Sequence, residues 1–189
     1  MLSRSITRSV SILAVLGLLS AGLVAGASTT AKKLEMEKEG IKLIAQVEDV
    51  ARDIRCHADR LNSFIGSAQI SRWTHHHHLA QIKSLVNGGL RPALQRLTEI
   101  QPQLPAWHQD VIDQMLNSAK ALATDTNSAI LNQKDAGTAP LVLNAEYVEL
   151  IDRIIQHAET LVKTADAAGD YAAVHRQAVE AGLNVPGYR

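Results

Sequence analysis

The chain has 189 residues with 19 basic and 19 acidic side chains, and it is 46% hydrophobic but only 3% aromatic. Basic residues such as Lys32, Arg52, Arg72, Lys83, Arg96 and Lys120 are dispersed among acids and stand apart from aromatics, which argues against nucleic acid or another polyanion as a partner. Cys56 is the single cysteine, so no internal disulfide can form and stability must come from packing.

Arg4 and Arg8 precede an apolar run from Val10 to Val24, and Ala25-Gly26-Ala27 offers small residues where a signal peptidase cuts. This pattern predicts a cleaved secretory signal over residues 1–27 and a periplasmic or secreted domain over residues 28–189. The run holds Gly17, Ser20 and Gly22 and is slightly short for a spanning helix, and no cysteine follows it for lipid attachment. No later stretch is apolar enough to cross a bilayer. Without Arg4 and Arg8 the formal charge becomes −2. The remaining length suits one compact domain.

From Leu34 to Ala68, Ile44, Val47, Ala51, Ile54, Ala58, Leu61, Ile65 and Ala68 recur in steps of three and four. This is a helical seam of about 36 Å. Leu43, Val50, His57 and Phe64 form a flanking row that widens the stripe, so this helix should meet more than one neighbour.

The second helix is expected from Arg72 to Ile100, with Leu79, Ile82, Val86, Leu90, Ala93, Leu97 and Ile100 inward. Asn87-Gly88-Gly89 just before Pro92 predicts a kink or short break, because the proline ring meets the carbonyl of Gly88 and donates no hydrogen bond. Pro102 and Pro105 mark the next turn, with Pro105 as the first residue of helix 3. That helix spans Ala106 to Leu131 with Ile112, Met115, Ala119, Leu122, Thr126 and Ala129 inward.

Gln133 to Leu143, with Gly137 and Pro140, reads as the longest connection. Asn144 can cap helix 4, whose inward row is Tyr147, Ile151, Ile154, Ala158, Leu161, Ala165 and Ala168. Gly169-Asp170 reads as a stop and a new cap, followed by a short helix from Tyr171 to Ala181 and a tail ending Pro186-Gly187-Tyr188-Arg189. The expected fold is all-α: an antiparallel up-and-down four-helix bundle with a short extra C-terminal helix. Its architecture is similar to periplasmic cytochrome-type and chemoreceptor sensor bundles, a likeness of fold that carries no function.

Chemistry concentrates in histidine. His75-His76-His77-His78 follows Trp73, and helical spacing turns His75 and His78 toward the core while His76 and His77 face outward. Counting residues from the turns places His57 and His157 near the same end, so His57, His75, His78 and His157 form a candidate set of imidazole ligands for Zn, Cu or Ni. The competing reading leaves them as core-boundary and surface histidines. His108 and His175 look peripheral, and Cys56 reads as a partly shielded thiol. Ile54-x-x-His57-Ala58-Asp59-x-Leu61 recurs as Ile154-x-x-His157-Ala158-Glu159-x-Leu161, a match that two heptad helices largely share by register.

The sequence has no HExxH, G-x-S-x-G, Walker sequence or C-x-x-C-H haem attachment, and no histidine preceded by Glu at the spacing of di-iron bundles. The leading expectation is therefore an exported, soluble, non-enzymatic helical bundle with no cofactor. It would bind an envelope protein or a small ligand in the bacterial cell envelope. The alternative is a histidine-based transition-metal-binding or metal-sensing bundle.

Overall fold

The computed structural model describes residues 10–65, 67, 70–136, 141 and 144–182, with side chains described from residue 32 onward. The described residues contain no strand. They form α1 (Val10–Ile65), α2 (Arg72–Leu85), α3 (Arg91–Ile100), α4 (Ala106–Asp135) and α5 (Ala145–Glu180). Residues Ala68, Gly137, Pro140 and 183–189, for which the sequence predicts a seam position, turn residues and a tail, lie outside the described residues. The side chains of Ala25, Gly26 and Ala27 do so as well.

The helix expected from Leu34 runs unbroken from Val10. Its seam from Ile44 to Leu61 is buried, while Leu43, Val50 and Ile65 are half-buried against the core. This wide stripe meets α5, α2 and α3, as a stripe broader than a two-helix seam must.

Ser71 caps α2 by accepting a hydrogen bond from the Thr74 backbone N–H. The break expected around the glycine pair is a π turn, Val86–Leu90, from which the chain continues directly into α3. The Arg91 N–H donates to the Val86 carbonyl, one residue farther back than in an α-helix. The wider turn lets the helix pass a proline that can neither donate at position 92 nor tolerate a close carbonyl. The whole inward row, from Leu79 to Ile100, is buried despite the irregularity.

A short 3-10 turn, Gln101–Gln103, leads to α4. Pro105 is the residue just before the helix, not its first member, a shift of one position. The α4 row from Ile112 to Ala129 is buried, and α4 itself runs on to Asp135.

Asn144 caps α5, its side chain accepting from the Tyr147 N–H at 3.1 Å. One expectation needs correction: there is no short extra helix after Gly169-Asp170, because α5 continues through both to Glu180. Gly169 is exposed and costs a helix only about 1 kcal/mol relative to Ala. Ala168, Ala172 and His175 on either side of it are buried, and tertiary packing of that face outweighs the local signal.

Exposed ion pairs record how the helices lie together. Arg52 of α1 meets Asp166 of α5 at 3.1 Å, and Arg55, one turn later, meets Glu159 at 3.2 Å. Contacts thus descend α5 as they climb α1. Asp125 and Arg153 pair at 3.1 Å, and Asn132 donates to Glu146 at 3.0 Å, repeating the pattern between α4 and α5. Such exposed pairs add little energy each.

Candidate functional site

His57 stands on the flanking row of α1 and His78 one turn into the buried face of α2. Their Nδ1 atoms lie 2.9 Å apart. A hydrogen bond at that distance needs one ring to donate and the other to accept, so at least one must be neutral. Burial holds both below the usual imidazole range, helped at His57 by the nearby Arg60 and at His78 by His57 itself. Phe64 packs beside them, its ring 5.6 Å from that of His78 and 6.1 Å from that of His75.

His75, one turn earlier on α2, is 2% exposed and its Nδ1 lies 3.0 Å from the Tyr147 hydroxyl of α5. Burial lowers the pKa of His75 and raises that of Tyr147. Both therefore stay uncharged, joined by a neutral hydrogen bond. His76 and His77 are exposed, with His77 stacked on Trp73. The inward and outward division of the four histidines thus follows the helical period.

The convergence of His57, His75, His78 and His157 is not what the structure brings together. The α5 residue that meets His75 is Tyr147, and His157 lies about 15 Å farther along the same helix. Its ring faces α4, where Nε2 is 3.2 Å from Asp125 Oδ2. Among the described residues no group of three or more His, Cys, Asp or Glu side chains forms a metal site. What remains of the set is the His57–His78 contact, with His75 engaged separately by Tyr147.

Two histidines expected at the periphery are buried: His108 is 0% and His175 8% exposed. His108 sits in the first turn of α4 beneath α1. Both its ring nitrogens are buried without a hydrogen-bond partner among the described residues. Burial, with His175 nearby, pushes its pKa down to about 4. Trp107, Tyr171 and His175 complete this cluster, the Trp107 and Tyr171 rings 4.8 Å apart. The signal was present in the sequence, since His108 extends the row of Ile112 and Met115 backward by one turn, and His175 extends that of Ala168 forward. Cys56, expected to be partly shielded, is exposed.

The seam between α2–α3 and α4 is incompletely filled. An apolar cleft of about 290 Å³, lined by Leu90, Leu94, Leu116 and Ala119 among others, opens there beside the π turn. A second chamber of about 230 Å³ adjoins it, lined by Lys83, Asn87, Thr126 and Asn127. Val86, Arg91 and Ala123 belong to the walls of both. Small residues on α4 leave this wall low, and the π turn is the kind of helix irregularity often found at functional sites.

Comparison with known proteins finds no matching family, no matching curated protein and no matching solved structure.

Proposed function

We propose that the chain is an exported, non-enzymatic binding protein of the bacterial cell envelope. In this reading it folds as an antiparallel up-and-down four-helix bundle, with α2, the π turn and α3 acting as one bent helix. The opposed order of the α1–α5 and α4–α5 contacts supports the arrangement. The basic, apolar and small-residue sequence of positions 1–27 supports export. Among the described residues, no helix is long and apolar enough to cross a membrane.

The observation that carries a binding role is the two-chambered cleft between α2–α3 and α4. It is concave and largely apolar, and it carries a few polar groups to orient a guest, the usual make-up of a small-ligand site. Titration with a neutral solvatochromic dye tests it. Saturable binding at one site is expected, and it should be lost when Ala123→Leu fills the shared wall while the melting temperature is kept. No saturable binding, or binding indifferent to Ala123→Leu, would reject the reading.

A second reading has its own observation: the Nδ1 atoms of His57 and His78 lie 2.9 Å apart, and moving the shared proton to Nε2 would free both lone pairs. Such a pair suits Zn, Cu or Ni as a two-point ligand, with water filling the remaining positions. Metal should then raise the melting temperature by mass action, and less so below about pH 6 as imidazoles take up protons. The double change His57→Gln and His78→Gln should abolish the shift, whereas His76→Gln with His77→Gln should spare it.

A further inference from the structure

Resting on the binding role of the α2–α3/α4 cleft, we propose that its occupant is a single-chain amphiphile with an anionic head. The tail would lie against Leu90, Leu94 and Leu116, and the head in the adjoining polar chamber.

The division between the chambers carries the argument. One is walled mainly by leucines and alanines, the other by Lys83, Asn87, Arg91 and Asn127. Arg91 lies on the wall they share, where a head joins its tail. Lys120 stands at the apolar chamber's rim. Among the described residues no carboxylate lines either chamber.

Four of the seven other described arginines are neutralised, while Arg60, Arg72 and Arg176 are not. Arg52, Arg55, Arg96 and Arg153 each reach an acidic side chain. Around the cleft, Lys83, Arg91 and Lys120 form no ion pair with any described residue. Three cations gathered without a counter-charge set a locally positive field at the mouth of an apolar slot, in a protein of zero formal net charge. Such a field favours an anion. A guanidinium can grip a carboxylate or phosphate through two parallel N–H donors, and the amides of Asn87 and Asn127 add further donors.

The apolar chamber supplies the second requirement. Each methylene moved from water to its wall should tighten binding roughly fourfold. A bare anion meets only exposed cations in water and gains little. Recognition therefore needs head and tail together.

Displacement of the neutral dye from the full-length protein, below micelle-forming concentrations, tests this with decanoate, decyl phosphate, decanol, decylamine and inorganic phosphate. Decanoate and decyl phosphate should displace the dye about tenfold more effectively than decanol, whereas decylamine and inorganic phosphate should be far weaker. Arg91→Gln should remove most of the preference for anions while leaving decanol and the dye unchanged, and Lys120→Gln should reduce it less. High salt should act as Arg91→Gln does. Equal displacement by decanol, decanoate and decylamine would overturn the anionic head and leave the binding role standing. Dye that fails to bind would overturn both. Inorganic phosphate competing as well as decyl phosphate would overturn the role of the tail.

Discussion

Gly89 faces Val50 so closely that a Cβ on residue 89 would stand 2.9 Å from both Val50 methyl carbons. The π turn and α1 therefore approach so closely that a larger residue at position 89 would force one of them to shift. One position earlier, Gly88 has open space around its Cα. Gly89→Ala should destabilise the protein by about 1–3 kcal/mol through overpacking, whereas Gly88→Ala should be neutral or stabilise it by up to about 1 kcal/mol. Urea denaturation of the two variants makes the comparison, and a similar loss in both would mean that flexibility of the turn matters more than contact with α1.

Ile54, Leu61 and Ile154 are all 0% exposed and belong to one continuous core. Truncation of any one to Ala should cost about 2–5 kcal/mol, from lost burial and from the cavity left behind. Lys83 is exposed, and Lys83→Ala should change stability by less than about 0.5 kcal/mol. Thermal denaturation monitored by circular dichroism separates the two classes, and equal small shifts at all four positions would contradict the packing.

His108 predicts a loss of stability in acid. Its folded pKa of about 4 lies below the ordinary 6.5, so the unfolded chain takes up its proton first as pH falls. The contribution is complete above about pH 6.5 and disappears progressively down to about pH 4, amounting to about 3 kcal/mol if nothing relaxes. His57, His75 and His78, shifted in the same direction, add to the trend. Urea midpoints measured from pH 7.5 to 4.5 should fall steadily in the native protein and less steeply in His108→Phe. Parallel slopes would show that this ring does not remain neutral as folded.

Tyr147→Phe should leave the Nδ1 of buried His75 without the oxygen that lies 3.0 Å from it. An unsatisfied buried polar group costs about 1–3 kcal/mol, and Phe retains the ring volume, so the loss reports the hydrogen bond and not a cavity. The double variant His75→Leu with Tyr147→Phe should recover part of it. A double-mutant cycle in chemical denaturation reads the coupling, and a value near zero would show that the contact contributes nothing.

Much of the helical order was legible because burial imposes a period. Every residue named in the three-four rows of α4 and α5 is buried, although Leu150, Val162 and Gln133 are buried beside those rows, and Asn144 announces the start of α5 because a capping oxygen is a local device. Gly169 misleads because its stop signal is also local and weak, while the face it interrupts is held by neighbours distant in the chain. His108 and His175 lie on extensions of the same rows, so their burial was written in the period, although polar side chains at the ends of a row suggest the surface. His157 could not be placed from helix height alone, since its direction depends on the rotation of α5 toward Asp125. The cleft was not legible at all. It arises from the distance between two helices where Ala119 and Ala123 face a π turn, a quantity no single helix carries.

The pairing of α1 with α5 has a temporal consequence. Val47, Ala51, Ile54 and Ala58 are fully buried, and α5, which helps cover α1, is synthesised after the other described helices. A growing chain holds this apolar stripe from early on and lacks one of its main covers until residue 180 has emerged. Folding must wait for contacts between distant parts of the chain, which delays completion relative to a bundle closed by neighbouring helices.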